Sequence, residues 1–175
     1  SNRGAEVYLV SGTTHLKPKN NSIRIIDIVS AKEMNIKCNE LFPDMDAVVM
    51  AAAVCDYKPT NKAENKIKKN SESISIEFTK TEDILNSLGI NKRNNQLIVC
   101  FALETENEIA NATSKLYNKN LDFIVLNSLK DKGAGFKTDT NKITIIDKNK
   151  NVEKFDLMSK EKVAEVIVNK IIEMI

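Results

Sequence analysis

The residues of this chain best suited to chemistry lie in Ala51-Ala52-Ala53-Val54-Cys55-Asp56-Tyr57-Lys58-Pro59 and, after a polar spacer, in Lys66-Ile67-Lys68-Lys69. The run is entered from Ala47-Val48-Val49-Met50, an apolar stretch without polar alternation that suits a parallel strand covered on both faces. Ala52 and Ala53 at its end leave room for a ligand to lie against backbone. Asp56 can accept hydrogen bonds from a base amine or a ribose hydroxyl, while Lys66, Lys68 and Lys69 can neutralise phosphates as point charges. Small residues, an acid and lysines in that order are how a nucleotide pocket is built at the carboxyl edge of a buried strand. The same residues also admit a structural reading, with alanines that allow close helix packing and lysines on a solvated loop.

Other reactive side chains are few. Cys38, Cys55 and Cys100 form no CxxC pair and have no histidine beside them, which argues against a zinc site or a disulfide framework, and no metal ligands are assigned. Cys38 falls on the apolar face of an expected helix and Cys100 inside an expected strand, so both read as small core residues. Cys55 sits next to Asp56 at the pocket, but without a neighbouring histidine it is not assigned as a nucleophile. His15, the single histidine, reads as a solvated loop residue.

The elements that must position these groups alternate. Glu6 to Val10 and Ile23 to Val29 read as strands. Ser30-Ala31-Lys32-Glu33 is a capping box, and Met34, Cys38 and Leu41 repeat at helical spacing over about 31–41. A buried strand at 47–53 follows, then a polar segment at 57–72, then Ser73 to Phe78, whose alternating Ile74, Ile76 and Phe78 mark a half-exposed strand in a hairpin flap. Thr81 is expected to cap a helix carrying Ile84, Leu85 and Leu88, with Glu82 and Asp83 in its first turn. Leu97 to Ala102 is a second buried strand. Thr105-Glu106-Asn107-Glu108 is a capping box for a helix with Ile109, Ala112 and Leu116 on one face and Lys115 and Lys119 on another. Asp122 to Asn127 is a strand, and Gly133-Ala134-Gly135-Phe136 is a turn without the glycine fingerprint of a dinucleotide site. Asn141 to Asp147 and Val152 to Phe155 form a hairpin, and Ser159 caps a closing helix bearing Val163, Val166, Ile167 and Ile171.

This order defines an α/β fold, a three-layer Rossmann-like doubly wound and mostly parallel sheet with an added β-hairpin flap, in a single domain over 1–175. Arg3-Gly4-Ala5 reads as the end of a helix feeding a strand, so the first βα unit of such a fold is expected to be absent from the chain. At 175 residues a fold of this kind buries roughly 70% of its unfolded surface and needs no staples. Hydrophobic residues at 42% and charged residues at 29% exclude a disordered chain. A net charge of +2 with 5% aromatics and no Trp argues against a nucleic-acid partner. No apolar stretch approaches the roughly 20 residues needed to span a bilayer, so no membrane partner is expected and the cytoplasm is the expected location.

Taken in order, five segments resemble phosphopantothenoylcysteine synthetase, the phosphopantothenate cysteine ligase that in bacteria is often the carboxyl-terminal half of a flavoprotein. They are the AAAVxDYxP segment, the KIKK cluster, Thr81-Glu82-Asp83-Ile84-Leu85, Val99-Cys100-Phe101-Ala102-Leu103-Glu104-Thr105, and Lys115-x-x-x-Lys119-Asn120-x-Asp122. The resemblance runs from about Arg3 to the last helix. It implies a ligase of coenzyme A biosynthesis that joins 4'-phosphopantothenate to L-cysteine through an acyl cytidylate, with CTP as substrate, Mg²⁺ on the triphosphate, and pyrophosphate and CMP released. It further implies that Lys66, ten positions past Asp56, is catalytic, and that Asp56, Glu82, Asp83, Ile84, Leu85 and Phe101 line the nucleotide site. In the same resemblance Lys115 and Lys119 hold phosphates, Glu82 stands where many relatives have proline, the protein is a homodimer, and a fused or separate flavin-dependent decarboxylase accompanies it. The segments around Ile74 to Phe78 and Ile143 to Phe155 are expected at a flap or subunit contact and not in the central sheet. Two alternatives remain open: a Rossmann-like NAD(P)-dependent oxidoreductase and a catalytically inert nucleotide-binding fragment.

Overall fold

The computed structural model describes residues 1–67, 73–128 and 138–175; Lys68, Lys69 and the Gly133-to-Phe136 turn lie outside the described residues. In chain order the elements are β1 (Tyr8–Ser11), β2 (Arg24–Asp27), α1 (Ala31–Leu41), a 3₁₀ turn (Phe42–Asp44), β3 (Ala47–Met50), β4 (Tyr57–Pro59), β5 (Phe78–Lys80), α2 (Ile84–Asn91), β6 (Leu97–Glu104), α3 (Glu108–Asn118), β7 (Phe123–Ser128), β8 (Thr140–Asn141), β9 (Ile143–Asp147), β10 (Val152–Lys154), β11 (Met158–Ser159) and α4 (Lys160–Met174). The class is the expected one, α/β with a mostly parallel central sheet and four helices. The chain divides into two compact units, residues 1–38 with 53–84, and residues 39–52 with 85–175.

The second unit carries the central sheet, in the order β10-β9-β7-β6-β3. Its strands β3, β6 and β7 are parallel, with Val49 opposite Val99 and Val99 opposite Phe123. Because side chains alternate across a strand, Val99, Phe123, Val125, Ile143 and Ile145 share one face, where Val163 and Ile167 of α4 close a core. The alternate residues Ile98, Cys100, Ala102, Ile124 and Leu126 are buried on the opposite face. Helix α3 lies along β6, β7 and β9, and its buried Ala112 and Leu116 stand outside the α4 core. With both faces covered, β6 and β7 need no polar residues along their length, which is why they read as continuous apolar runs.

One carboxylate ties this unit together. Asp122 enters β7 almost wholly buried and accepts bonds from the Ile98 amide at 2.7 Å, Lys92 Nζ at 2.5 Å and Lys148 Nζ at 3.0 Å. Those donors come from β6, the α2–β6 connection and the β9–β10 turn, so a single side chain joins three segments distant in sequence. The turn itself is organised by Asp147, whose oxygens accept from the Asn149 amide at 2.9 Å and the Asn151 amide at 3.0 Å. Burial pushes the Asp147 carboxyl up. The bonds from the Asn151 side chain and the Asn151 and Asn149 amides, together with the Lys170 ammonium 3.9 Å away, outweigh burial and hold it below the ordinary value of 3.8.

The first unit holds a two-stranded parallel sheet, β1 with β2, and a two-stranded antiparallel ladder, β4 with β5. Arg24 lies over the Tyr8 ring at 5.0 Å and pairs with Glu6 at 2.8 Å, so β1 and β2 are stitched on their exposed side. The Ser30 box forms at the start of α1: Ser30 Oγ accepts from the Glu33 amide at 3.2 Å and Glu33 accepts from the Val29 amide at 2.9 Å. Ser159 caps α4 by accepting from the Lys162 amide at 3.3 Å.

Residues 1–4 form a turn, with the Gly4 amide bonded to the Ser1 carbonyl and φ +89° at Gly4, a conformation that favours glycine. Several expectations change. The strand expected to be buried at 47–53 stops at Met50, leaving Ala51 to Ala53 beyond it, and its residues are half-buried or exposed. The strand expected at Ser73 to Phe78 forms at Phe78–Lys80 instead, because that is where Tyr57–Pro59 runs opposite and supplies a ladder. Neither Thr81 nor Thr105 starts a helix: Thr81 Oγ donates to the Cys55 carbonyl at 2.6 Å, and α3 begins after Asn107, which takes a left-handed φ of 46°. Ile109 is exposed. The Ile143-to-Phe155 hairpin is not set apart from the central sheet, since β9 pairs along β7 and its Ile143, Ile145 and Ile146 are all about 1% exposed. Only β10, whose three residues are exposed, keeps the edge character read from the alternation.

Asp122→Ala strands the Lys92 ammonium, whose side chain is 9% exposed, and the Ile98 amide. The expected cost is about 3–5 kcal/mol, measured by urea denaturation. For Asp147 the folded value is depressed, so its contribution is present above 3.8 and disappears as pH falls through the folded value. The stability gap between wild type and Asp147→Asn should therefore narrow as pH is lowered through that range; a gap independent of pH would show that the carboxylate charge is not what organises the turn.

Candidate functional site

In open α/β sheets ligands settle at the carboxyl ends of the strands, where loops carry exposed backbone and polar side chains. In the second unit β3 ends at Met50 and is followed by Ala51 and Ala52, both exposed, as the sequence reading requires of residues that leave backbone accessible. Phe101 is half-buried and packs against the core shared with α4. Ile84 and Leu85 are buried, 4% and 8% exposed, so any ligand contact they make runs through backbone. Lys115 and Lys119 are half-buried on α3 and at its carboxyl end, and Lys119 Nζ lies 3.5 Å from Asn86 Oδ1 on α2.

That junction of α2 with the end of α3 is the best-defined feature beside the proposed lysines. Asn120, at a left-handed φ of 52°, turns the chain and donates to the Gly89 carbonyl at 2.9 Å. A Cβ on Gly89 would lie 2.2 Å from the Lys119 carbonyl oxygen, so only glycine lets α2 approach this closely. Lys92 reaches from the end of α2 to the Asn120 carbonyl at 3.4 Å and to Asp122. Asn86, Gly89 and Lys92 were not singled out from sequence. Asn120 and Asp122 were, as parts of a motif, but their work is to seat the helices.

In the first unit the ladder brings a second group together. The Thr81 amide donates to the Asp56 carbonyl at 2.9 Å, which holds the Asp56 bend beside Glu82 and Asp83. Glu82 in turn accepts from Asn35 of α1. Asp56, Glu82 and Asp83 are exposed, and so is Ala53. Lys66 is exposed in the connection between β4 and β5, and among the described residues no hydrogen bond or ion pair joins it to Asp56. Within the first unit the fold gathers Asp56 with Glu82 and Asp83, and within the second it brings Lys119 to Asn86. Cys55 is exposed, whereas Cys38 is buried and burial pushes its thiol up, which leaves it an inert core residue. Among the described residues no group of His, Cys, Asp and Glu could hold a metal ion.

A core of parallel strands covered by helices, with its loops at the carboxyl ends of those strands, defines a Rossmann-like α/β domain. The chain belongs to the family described as "DNA/pantothenate metabolism flavoprotein C-terminal domain", whose model matches residues 1–175. It is 51% identical over 172 residues to a protein from an unknown prokaryotic organism named "Cysteine/Cysteine sulfinic acid decarboxylase", covering 98% of this chain and 48% of that protein. It is also 37% identical to the "Coenzyme A biosynthesis bifunctional protein CoaBC" of Bacillus subtilis (strain 168), covering 96% of this chain and 41% of that protein. The chain thus spans less than half the length of these curated relatives. Among solved structures, the crystal structure of the C-terminal domain of a CoaBC bifunctional protein is similar at a TM-score of 0.79 and 38% identity, over 99% of this chain and 78% of that one. A DNA/pantothenate metabolism flavoprotein from Streptococcus pneumoniae shares the fold, with a TM-score of 0.80 at 23% identity.

These findings correct the functional reading of the sequence. The family is described as a flavoprotein domain and the 51% identical relative is named a decarboxylase, so the assignment to phosphopantothenoylcysteine synthetase is overturned. The CTP-dependent ligase activity, the CTP and Mg²⁺ requirement and the acyl-cytidylate route fall with it. Neither the NAD(P)-dependent oxidoreductase nor the inert fragment matches these names. The physical reason is that alanines, an acid and lysines at a strand edge recognise phosphate and polar groups in general; they do not specify which phosphate-bearing molecule is bound. The expectation of a fused partner survives in its coarse form, since several relatives are bifunctional proteins. Among the described residues no helix is long and apolar enough to cross a membrane.

Gly89→Ala is expected to cost about 1–3 kcal/mol, because the helix must move off the Lys119 carbonyl. Amide exchange should show the loss concentrated in α2 and at Asn120. A melting temperature unchanged by the substitution would mean that α2 is not held at this distance.

Proposed function

We propose that this chain is the carboxyl-terminal domain of a pantothenate-metabolism flavoprotein acting in coenzyme A biosynthesis, and that the whole protein decarboxylates a cysteine-derived substrate. The observation that carries the reading is 51% identity, across nearly all of this chain, to a protein named for cysteine and cysteine sulfinic acid decarboxylation. Decarboxylation requires that a carboxylate be held in place while the electrons left behind by carbon dioxide are stabilised, so its site needs fixed cations or donors and a group able to take up charge. Residues of each unit suit the holding part. In the first unit Lys66 is an exposed cation, the exposed backbone of Ala53 admits a close ligand, and Asp56, Glu82 and Asp83 can accept from amines and hydroxyls; in the second unit Lys115 and Lys119 are cations on a helix and at its end, and Ala52 is exposed beyond a strand end. Ile84, Leu85 and Phe101 supply apolar backing, each within its own unit.

The flavin that the family description implies does not fit the concavity described beside α3. A tricyclic ring needs two opposed walls, usually apolar or aromatic, and burial of most of its surface. The concavity beside α3, about 390 Å³, is lined by Asn107, Glu108, Ile109 and Ala110, four consecutive residues at one helix start. They form one wall. We therefore derive no step through flavin and assign this domain to substrate binding, with flavin held by the remainder of the protein. The fused decarboxylase partner, homodimer formation and a cytoplasmic location belong to this reading.

The test is to purify the complete protein and this chain separately. The complete protein should carry flavin absorbance and release carbon dioxide from cysteine, cysteine sulfinic acid or the phosphopantothenate–cysteine adduct. This chain alone should carry no flavin. In the complete protein, Lys66→Ala, Lys115→Ala and Lys119→Ala should each raise the KM for the phosphorylated substrate by about tenfold or more, the effect of removing one charge-assisted hydrogen bond. Amide synthesis by the complete protein that requires a nucleoside triphosphate and proceeds without flavin would overturn the proposal.

A further inference from the structure

The carboxyl end of β7 carries a carboxamide where its row of side chains is otherwise apolar. Phe123 and Val125 belong to the core beneath α4, and Asn127, two residues further, extends their row and stands in register with Ile143 of β9. Asn141 of β8 donates through Nδ2 to Asn127 Oδ1 at 3.0 Å. This contact is set in the core, for Asn141 is 7% exposed, Val125 0% and Ile143 1%. The backbone of Asn141 is itself held, because β8 pairs with β11 and places Met158 opposite Asn141.

A single backbone amide fixes which way both carboxamides point. The Lys142 amide can only donate, and it donates to the Asn141 side chain at 3.0 Å, so the atom it meets is the oxygen. The other terminal atom of Asn141 is then its NH₂ group, and the atom of Asn127 that this group meets must be the oxygen in turn. What Asn127 has left is its own NH₂. Among the described residues no group accepts from Asn127 Nδ2, and no side-chain nitrogen is both buried and unmet, so this donor opens to solvent. The relay thus ends in a donor of fixed direction, at the end of the sheet where open α/β folds bind their ligands.

We propose that Asn127 is a ligand-binding residue of the second unit, donating Nδ2–H to a carbonyl or carboxylate oxygen, and that Asn141 is the positioning residue that sets this polarity. A carboxamide free to flip offers a donor and an acceptor alike and selects neither. One locked by its neighbour accepts an sp² oxygen and rejects a donor in the same place, because a buried or half-buried polar group left unmatched is costly. In the compounds considered above such an oxygen has two sources, the carboxylate of the cysteine part and the amide carbonyls of the phosphopantothenate–cysteine adduct. The identity of the ligand rests on the function proposed above, whereas the direction of the donor rests on the hydrogen-bond relay alone.

Inverting the relay tests it. In Asn141→Asp, above neutral pH, both terminal atoms of the introduced side chain are acceptors; the Lys142 amide keeps its partner, and Asn127 must turn its NH₂ inward and its oxygen outward. By NMR of the 175-residue chain, the side-chain NH₂ protons of Asn127 should exchange rapidly with water in the wild type, and one of them should become protected in Asn141→Asp. Ligand affinity is then measured on the complete protein with two probes, the adduct and its decarboxylated product, which keeps the amides and lacks the carboxylate. The first is read as KM, or by calorimetry if no carbon dioxide is released, and the second by calorimetry. Asn127→Ala should weaken binding about tenfold, the equivalent of one net hydrogen bond, and Asn141→Asp at least as much, since an acceptor then faces an acceptor. Weakening of both probes assigns the contact to an amide carbonyl, and weakening of the adduct alone assigns it to the carboxylate. A complete protein that releases no carbon dioxide but still binds the adduct through Asn127 would refute the decarboxylase reading and leave this inference standing. Protected Asn127 NH₂ protons in the wild type, or affinities for both probes unchanged by Asn127→Ala, would overturn it and reduce the pair to a strut between β7 and β8.

Discussion

The carboxylate of Asp122 is the constraint on which the second unit depends. A buried acid is costly in a medium of low dielectric unless its oxygens are met, and here they are met by two lysine ammoniums and a strand amide. Because the donors come from separate segments, satisfying the charge obliges the start of β7, the beginning of β6, the end of α2 and the β9–β10 turn to converge. The arrangement explains why a polar residue opens an otherwise apolar strand. It also sets the height of α2 against α3, since Lys92 contacts both Asp122 and the Asn120 carbonyl. Lys119 and Asn86 meet as a consequence of that seating.

The same logic separates the parts of the candidate site that are held from those that are merely near in sequence. Asp56 is held by its own backbone, through the Thr81 amide, and among the described residues no hydrogen bond is made by its carboxylate. Lys119 is restrained by a neighbour on another helix, and Lys66 lies in a connection between two short strands. A preorganised charge contributes most when its position is fixed before the ligand arrives. By that measure the Asp56 bend in the first unit and the α2–α3 junction in the second are the preorganised features, each within its own unit.

Much of the architecture was legible in the sequence. The strands expected at 47–53 and 97–102, found at 47–50 and 97–104, the capping box at Ser30, the cap at Ser159 and the helix over 31–41 follow from patterns whose cause is local: apolar runs, a hydroxyl placed three residues before an amide, a period of 3.6. The pattern at Ser73 to Phe78 misled because alternation specifies a strand only where a partner lies opposite, and the partner is Tyr57–Pro59, which reaches only Phe78–Lys80. Thr81 and Thr105 misled for a related reason. A hydroxyl able to cap a helix can equally serve a distant carbonyl, as Thr81 does at Cys55.

What the sequence determined alone was the class of fold and the residue types that stand near its strand ends, small residues, acids and lysines. Which ligand such residues would recognise is not in their types, since a lysine recognises a phosphate or a carboxylate by charge and not by what it is attached to. Tertiary structure alone decided that the Ile143-to-Lys154 hairpin joins the central sheet, that Asp122 is a structural anchor, and that Gly89 and Asn120 set the spacing of two helices. Each of these depends on the atoms that long-range pairing brings within hydrogen-bond distance, and no local pattern encodes that distance.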